Sequence, residues 1–264
     1  MKKFGYILIV FQIVTTLGLF MLSKSDISIL TMSPYLTLSQ VSSLVGTILL
    51  SDSFILSSRF IWIEALFGGL DKVYKAHAIT SAVSYLLLLH HLILLVVSRL
   101  PSISATLPLV IPGRDMSITW GIFSLLTFTL LIFITLYIDL PYHVWKSTHE
   151  WMGLGLLFGS LHVIFIKSDI ARFWPLRLWI LVSLSFAATS YIYKRFLYRL
   201  LGPTFTYILK DIRRVGDVHE LTLIPKNHKL SFIPGQFIFL NHHGGKISRE
   251  EHPFSIVSTP YQDE

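Results

Sequence analysis

Cysteine is absent from this chain of 264 residues. Its absence excludes disulfides, iron–sulfur clusters and thiolate metal ligation, and leaves imidazole as the strongest metal ligand on offer. A cleavage site is missing as well. No small-x-small pattern follows the apolar start MKKFGYILIVFQIVTTLGLFML before Lys24, so Lys2 and Lys3 read as flanks of an uncleaved span rather than as the charged end of a signal peptide. There is no G-x-G-x-x-G segment of the nicotinamide-binding kind. Acidic residues are outnumbered, 15 against 22 Lys and Arg, for a net charge of +7. In a soluble protein that excess would suggest nucleic acid. Here the charges sit in short loops beside apolar runs, where membrane topology explains them, and no nucleic-acid partner is expected.

What the chain has in abundance is apolar sequence: 53% of residues are hydrophobic and the mean hydropathy is +0.64. Soluble domains are less apolar than this, and the runs reach the length of about 20 residues that crosses a bilayer. Six spans are predicted, at about Phe4–Leu22, Leu36–Ser57, Val73–Ser98, Ile118–Leu140, Thr148–Ile166 and Trp174–Tyr193. Together they make residues 1–193 a membrane domain embedded in lipid. Residues 194–204 form a basic linker, and residues 205–264 turn charged, β-branched and punctuated by Gly and Pro, as strands of a soluble domain are. Trp62, Trp120, Trp145, Trp151, Trp174 and Trp179 all fall near span ends, as an interfacial aromatic belt would place them.

With the N-terminus inside, the inner face receives Lys2, Lys3, Arg59, Lys72, Lys75, Lys146, Lys194, Arg195 and Arg199. The outer face receives Lys24, Arg99, Arg114, Lys167, Arg172 and Arg177. The bias favours both termini in the cytoplasm and a plasma (inner) membrane location.

Two histidine pairs stand out against this background: His77 with His91 in the third span, and His149 with His162 in the fifth. Spacings of 14 and 13 residues set the two members of each pair roughly 20 Å apart along a helix, at two depths of one membrane. Both spans run from inside to outside, so His77 and His149 share the inner depth and His91 and His162 the outer. Fourteen residues return a side chain to within about 40° of its starting face. Thirteen leave His149 and His162 about 140° apart on an ideal helix, so the fifth span must depart from one. Gly153, Gly155 and Gly159 lie between them and offer room for distortion or for close approach of a flat cofactor. His90 is a rival to His91, but helical phase favours His91.

A single buried histidine usually bonds to backbone or lines a proton path. Four at matched depths on two co-oriented spans call for a shared reason, and two stacked b-type haems, each ligated by a histidine pair, supply it. Filled axial positions would leave such haems to pass electrons. Loop cations on either face could neutralise haem propionates, although most serve topology.

In the tail, FIPGQFIFLNHH (Phe232 to His243) reads as a Pro-Gly turn feeding an alternating strand with Phe237 and Phe239 on one face. HPFSIVSTP (His252 to Pro260) is an extended segment whose ring and hydroxyls, Ser255 and Ser258, suit the edge of an isoalloxazine.

Taken together, GGLDKVYKAH leading into His77, the two histidine pairs, PGQF at Pro234 to Phe237 and HPFSIVS at His252 to Ser258 resemble the ferric reductase and NADPH oxidase superfamily. The resemblance implies a membrane all-α six-helix haem bundle followed by an incomplete antiparallel β-barrel of the FAD-binding, ferredoxin–NADP reductase type. It implies that His77, His91, His149 and His162 ligate two haems, and that His252, Pro253, Phe254 and Ser255 contact FAD. Animal-type oxidases carry a further histidine four residues after the outer third-span ligand; here that position is Leu95. The sequence stops just past the flavin motif, so NAD(P)H is expected to bind a domain in a longer chain or a partner, and these 264 residues are expected to be inactive with NAD(P)H alone.

The expected activity is that of a membrane flavocytochrome oxidoreductase, moving electrons from NAD(P)H through FAD and the haems to a small-molecule acceptor outside, a ferric chelate or oxygen. Two rivals remain at this stage: a quinone-linked cytochrome b without flavin, and a non-redox transporter using histidine proton relays.

Overall fold

The computed structural model describes residues 4–24, 28–168, 172–202, 204–230, 232, 236–241 and 252–256. Contacts divide the chain into two units, residues 1–195 and 196–264.

The first unit is helical. Its elements are α1 (Phe4–Leu22), the short α2 (Ser28–Met32), α3 (Pro34–Leu56), α4 (Ile61–Phe67), α5 (Leu70–Arg99), α6 (Ile103–Val110), α7 (Met116–Tyr137), α8 (Tyr142–Glu150), α9 (Met152–Phe165) and α10 (Trp174–Ile192). Local chemistry sets the boundaries. Pro34 opens α3, where its missing N–H costs nothing. Gly68 closes α4 in the left-handed region at φ 76°, a conformation glycine adopts without a Cβ penalty. Asp115 caps α7, its carboxylate accepting the Ser117 backbone N–H at 2.9 Å.

Among the described residues, five helices are long and apolar enough to cross a membrane: Phe4–Leu22, Pro34–Leu56, Leu70–Arg99, Met116–Tyr137 and Trp174–Leu197, the last continuing α10 through a π-helical turn. They answer to the first, second, third, fourth and sixth predicted spans, and this is a membrane protein. Large apolar side chains such as Ile7, Val10, Phe11 and Val14 of α1 lie exposed in a row, as a lipid-facing surface requires.

The predicted fifth span, Thr148–Ile166, is not one continuous helix. α8 ends at Glu150, Trp151 forms a turn, and α9 runs for only 14 residues, about 21 Å at the usual rise. The Trp151 N–H reaches back to the Thr148 carbonyl at 3.1 Å, a tight one-turn bond that restarts the helix on a new phase.

The core is built around α3, which packs against α5, α10 and α1, while α7 packs on α9. Leu44 and Ile48 of α3 meet Phe20 of α1 and Leu176, Ile180 and Leu184 of α10 in one buried cluster. Hydrophobic burial cannot discriminate between helices in lipid, so small residues and polar cross-links add specificity. Ser84 Oγ donates to the Gly46 carbonyl at 2.8 Å, Ser124 Oγ to the Gly155 carbonyl at 2.8 Å, and Trp179 Nε1 to Thr16 Oγ1 at 2.9 Å.

The second unit contains two antiparallel strand pairs among the described residues. β1 (Tyr207–Val215) and β2 (Val218–Pro225) form a hairpin turning at Gly216, φ 65°. β3 (Phe237–Leu240) pairs with β4 (His252–Ser255), Phe237 opposite Ser255 and Leu240 opposite His252.

Candidate functional site

Each of the four histidines is placed by a different helix end or partner. His77 sits two turns into α5. Its Nδ1 lies 2.9 Å from the Ser53 carbonyl oxygen and 3.2 Å from Ser53 Oγ on α3. His91, 14 residues on and about four turns farther along α5, repeats the arrangement: its Nδ1 is 3.0 Å from the Ser39 carbonyl oxygen and 2.8 Å from Ser39 Oγ. His162, in the last turn of α9, places Nδ1 2.7 Å from the Ser117 carbonyl oxygen on α7. A carbonyl oxygen only accepts, so in the neutral ring the proton of all three imidazoles is on Nδ1. Nε2 is therefore a bare lone pair in each, and it makes no hydrogen bond among the described residues. A metal-ligating histidine is prepared in this way, with its far nitrogen held by backbone and its near nitrogen free.

His149 closes α8. Its ring stacks on Trp145 at 5.3 Å between centroids, and its Nδ1 is buried without a hydrogen-bond partner among the described residues. The ring of His77 lies across from it, centroids 6.5 Å apart and planes at 74°. A metal bonded to two imidazole nitrogens at about 2.0–2.1 Å each sets the ring centroids roughly 6–6.5 Å apart. His77 and His149 thus have the separation that two imidazoles holding one metal ion would require. In the other pair, His91 and His162 lie close enough to interact electrostatically. No group of three or more His, Cys, Asp or Glu converges among the described residues, so the possible metal donors come as pairs.

The turn at Trp151 divides the stretch over which one ideal helix would set the two histidines about 140° apart. His149 and His162 end two separate helices, so neither helix is distorted to carry both. The glycines between them have a different use from close cofactor approach. Gly153 lies against the Tyr191 ring, a Cβ on Gly155 would come 2.8 Å from Phe128, and one on Gly159 would come 3.0 Å from Ser124 Oγ. They let α9 approach α10 and α7. Unremarked in the sequence, Gly121 is the glycine that makes room at the site, since a Cβ there would lie 2.8 Å from His162 Nδ1.

The serines that hold the rings were also missed by sequence reasoning. Ser53 lies within SDSF, a polar run inside an otherwise apolar helix, and that polarity was the available signal. His90 is exposed, whereas His91 is half-buried against α3. Among the loop cations, Arg59 Nε donates to Tyr74 Oη at 2.7 Å and Lys72 Nζ to the Gly68 carbonyl at 3.3 Å, both near the His77 end of α5.

In the second unit the two flavin-type segments meet. β3 carries Phe237 and Phe239 on one face, ring centroids 5.5 Å apart, and β4 brings Pro253, Phe254 and Ser255 beside it, Ile238 opposite Phe254. The ladder continues where the Ile256 N–H donates to the Gln236 carbonyl at 2.8 Å. Phe254 and Ser255 are exposed. The side chain of His252, and all of Pro234, Gly235, Val257 and Ser258, lie outside the described residues.

No curated protein matches the chain significantly. Residues 42–160 match the family model for the ferric reductase like transmembrane component, a stretch that runs from within α3 into α9, includes His77, His91 and His149, and stops two residues short of His162. Across that stretch the chain is similar to the ferric reductase like transmembrane component, a likeness that suggests an oxidoreductase-type membrane protein.

Proposed function

We propose that this protein carries electrons across a membrane, from NAD(P)H through FAD to an inner haem held by His77 and His149, then to an outer haem held by His91 and His162, and finally to a ferric chelate or oxygen outside. The observation that carries this reading is the inner pair: two imidazoles 6.5 Å apart between centroids, one with its Nδ1 committed to the Ser53 carbonyl and its Nε2 free. The chemistry a bis-imidazole haem supplies is one-electron carriage without an open coordination site.

The protein's own residues do the rest. Ser53, Ser39 and Ser117 orient the rings, and an apolar bundle keeps water from the low-dielectric path between the two layers. α8 and α9 together supply the fifth of six crossings, with both termini in the cytoplasm and the plasma (inner) membrane as the location. Phe254 and Ser255, with His252 and Pro253, would meet the flavin along the β3–β4 pair, and the nicotinamide-binding domain belongs to a longer chain or a partner.

The test is the optical and paramagnetic spectrum of the purified chain. About two low-spin, six-coordinate b-type haems per chain are expected, reducible by dithionite. One haem, or a high-spin spectrum with an open iron site, defeats the stacked arrangement.

A further inference from the structure

Asp52 is the only acidic residue of α3, and the electron path above makes no use of it. It is 4% exposed, and its Oδ2 is buried with no hydrogen-bond partner among the described residues. Its polar neighbour among the described residues is the uncharged Gln12 side chain of α1. An ionised carboxylate stripped of water and left without a counter-charge costs several kcal/mol. Ionisable groups inside membranes are rare for that reason, and where they persist they mark function by default.

Its surroundings suggest which function. The next residue, Ser53, accepts the Nδ1–H of His77. The residue after that, Phe54, meets Tyr191 of α10 edge to face at 6.0 Å. The titratable groups around this stretch of α3 are His77 from α5 and Tyr191 from α10, with Arg195 and Glu150 acting on Tyr191, while α1 presents Gln12. The cation among them, Arg195, is paired with Glu150 at 3.3 Å. Ser53 ties the inner histidine pair to the residue beside Asp52, and positive charge gathered on that pair favours the ionised carboxylate.

We propose that Asp52 is a redox-linked proton-binding site: carboxylate while the cofactor of the inner pair carries positive charge, carboxylic acid once an electron cancels that charge. The step balances. One electron from the reduced flavin reduces the iron, one proton from water forms the O–H bond of Asp52, and oxidation reverses both. Electron entry would then leave no uncompensated charge in the low-dielectric bundle. The inference rests on the redox reading above.

The experiment compares the haem-loaded full chain with its Asp52→Asn variant, which keeps the shape and cannot titrate. In wild type, infrared difference spectra taken on dithionite reduction are expected to gain a protonated-carboxyl carbonyl band. The potential of one haem step is expected to fall as pH rises, because reduction takes up a proton. Asp52→Asn should lose the band and flatten the slope. Gln12→Leu, which retains the acid, should keep the band while moving the pH range of the slope. A normal haem spectrum with band and slope unchanged in Asp52→Asn overturns the assignment of Asp52 alone. A wild-type chain that binds no haem overturns the redox reading, and this inference with it.

Discussion

Ser39 and His91 hold each other by a reciprocal pair of hydrogen bonds across the α3–α5 interface. Ser39 Oγ donates to the His91 carbonyl oxygen at 2.8 Å, and the His91 Nδ1–H points back at Ser39, 2.8 Å from Oγ and 3.0 Å from the carbonyl oxygen. Because the single hydroxyl proton of Ser39 is spent on the backbone, its Oγ can only accept from the ring. The tautomer of His91 is settled by one neighbouring residue.

That arrangement orders three substitutions. His91→Leu should remove the outer haem and abolish transfer to an outside acceptor, while the inner haem remains. His90→Leu, at an exposed position, should leave both haems in place. Ser39→Ala removes Oγ but spares the Ser39 carbonyl, so the outer haem should persist with affinity weakened by about 10-fold and no more than about 100-fold. Haem titration monitored by absorbance checks the series. Loss of the outer haem in His90→Leu but not in His91→Leu would show that the ring bonded to Ser39 is not the ligand.

Gly121 gives a second test, independent of the ligands themselves. His162 is tied to the Ser117 carbonyl at 2.7 Å and cannot retreat from a new methyl group that would lie 2.8 Å from its Nδ1. Gly121→Ala should therefore displace the ring, lower stability by about 1–3 kcal/mol and weaken the outer haem selectively. Gly18→Ala on α1, with nothing within 4 Å of the added carbon, serves as the control and should be neutral or slightly stabilising. Equal thermal stability and equal outer-haem content in the two variants would refute the steric account of His162.

A pH dependence follows at the outer end of α7. The Ser117 side chain, with backbone N–H groups of the first turn, holds the Asp115 carboxyl below its ordinary value. A carboxylate depressed on folding contributes stability that is present above its unfolded value, about 3.9, and is lost as pH falls through the lower folded value. Acidification below about pH 4 should thus loosen the first turn of α7, and with it the Ser117 carbonyl that holds His162. Asp115→Asn retains a capping oxygen and should remove this acid sensitivity. The outer-haem spectrum followed from pH 6 downward in both proteins is the measurement; parallel curves would dissociate the cap from the site.

Much of the membrane domain is written in one dimension. Length and hydropathy of an apolar run decide whether it can cross a bilayer, which is why the ends of α1, α3, α5, α7 and α10 fall within a few residues of expectation. The 14-residue step from His77 to His91 is equally local, because one regular helix carries both. The 13-residue step is not local. Its phase conflict is legible in the sequence, but the turn at Trp151 that divides the stretch, with a tight bond to Thr148, depends on how α9 seats between α7 and α10.

Composition and spacing alone determined that this is a membrane protein, that imidazole is the strongest metal ligand it offers, and that four of its histidines come as two spaced pairs. Only tertiary structure decided which nitrogen of the His77, His91 and His162 rings is free. That choice rests on Ser53, Ser39 and Ser117, which lie 24 to 52 residues away in the chain. The same is true of Asp52, whose carboxyl is unremarkable in a sequence and becomes singular only when packing buries it beside Gln12 of α1 with its Oδ2 unpartnered among the described residues. Hydropathy is a property of each residue, whereas hydrogen-bond partners and buried charge are properties of the neighbours that packing supplies.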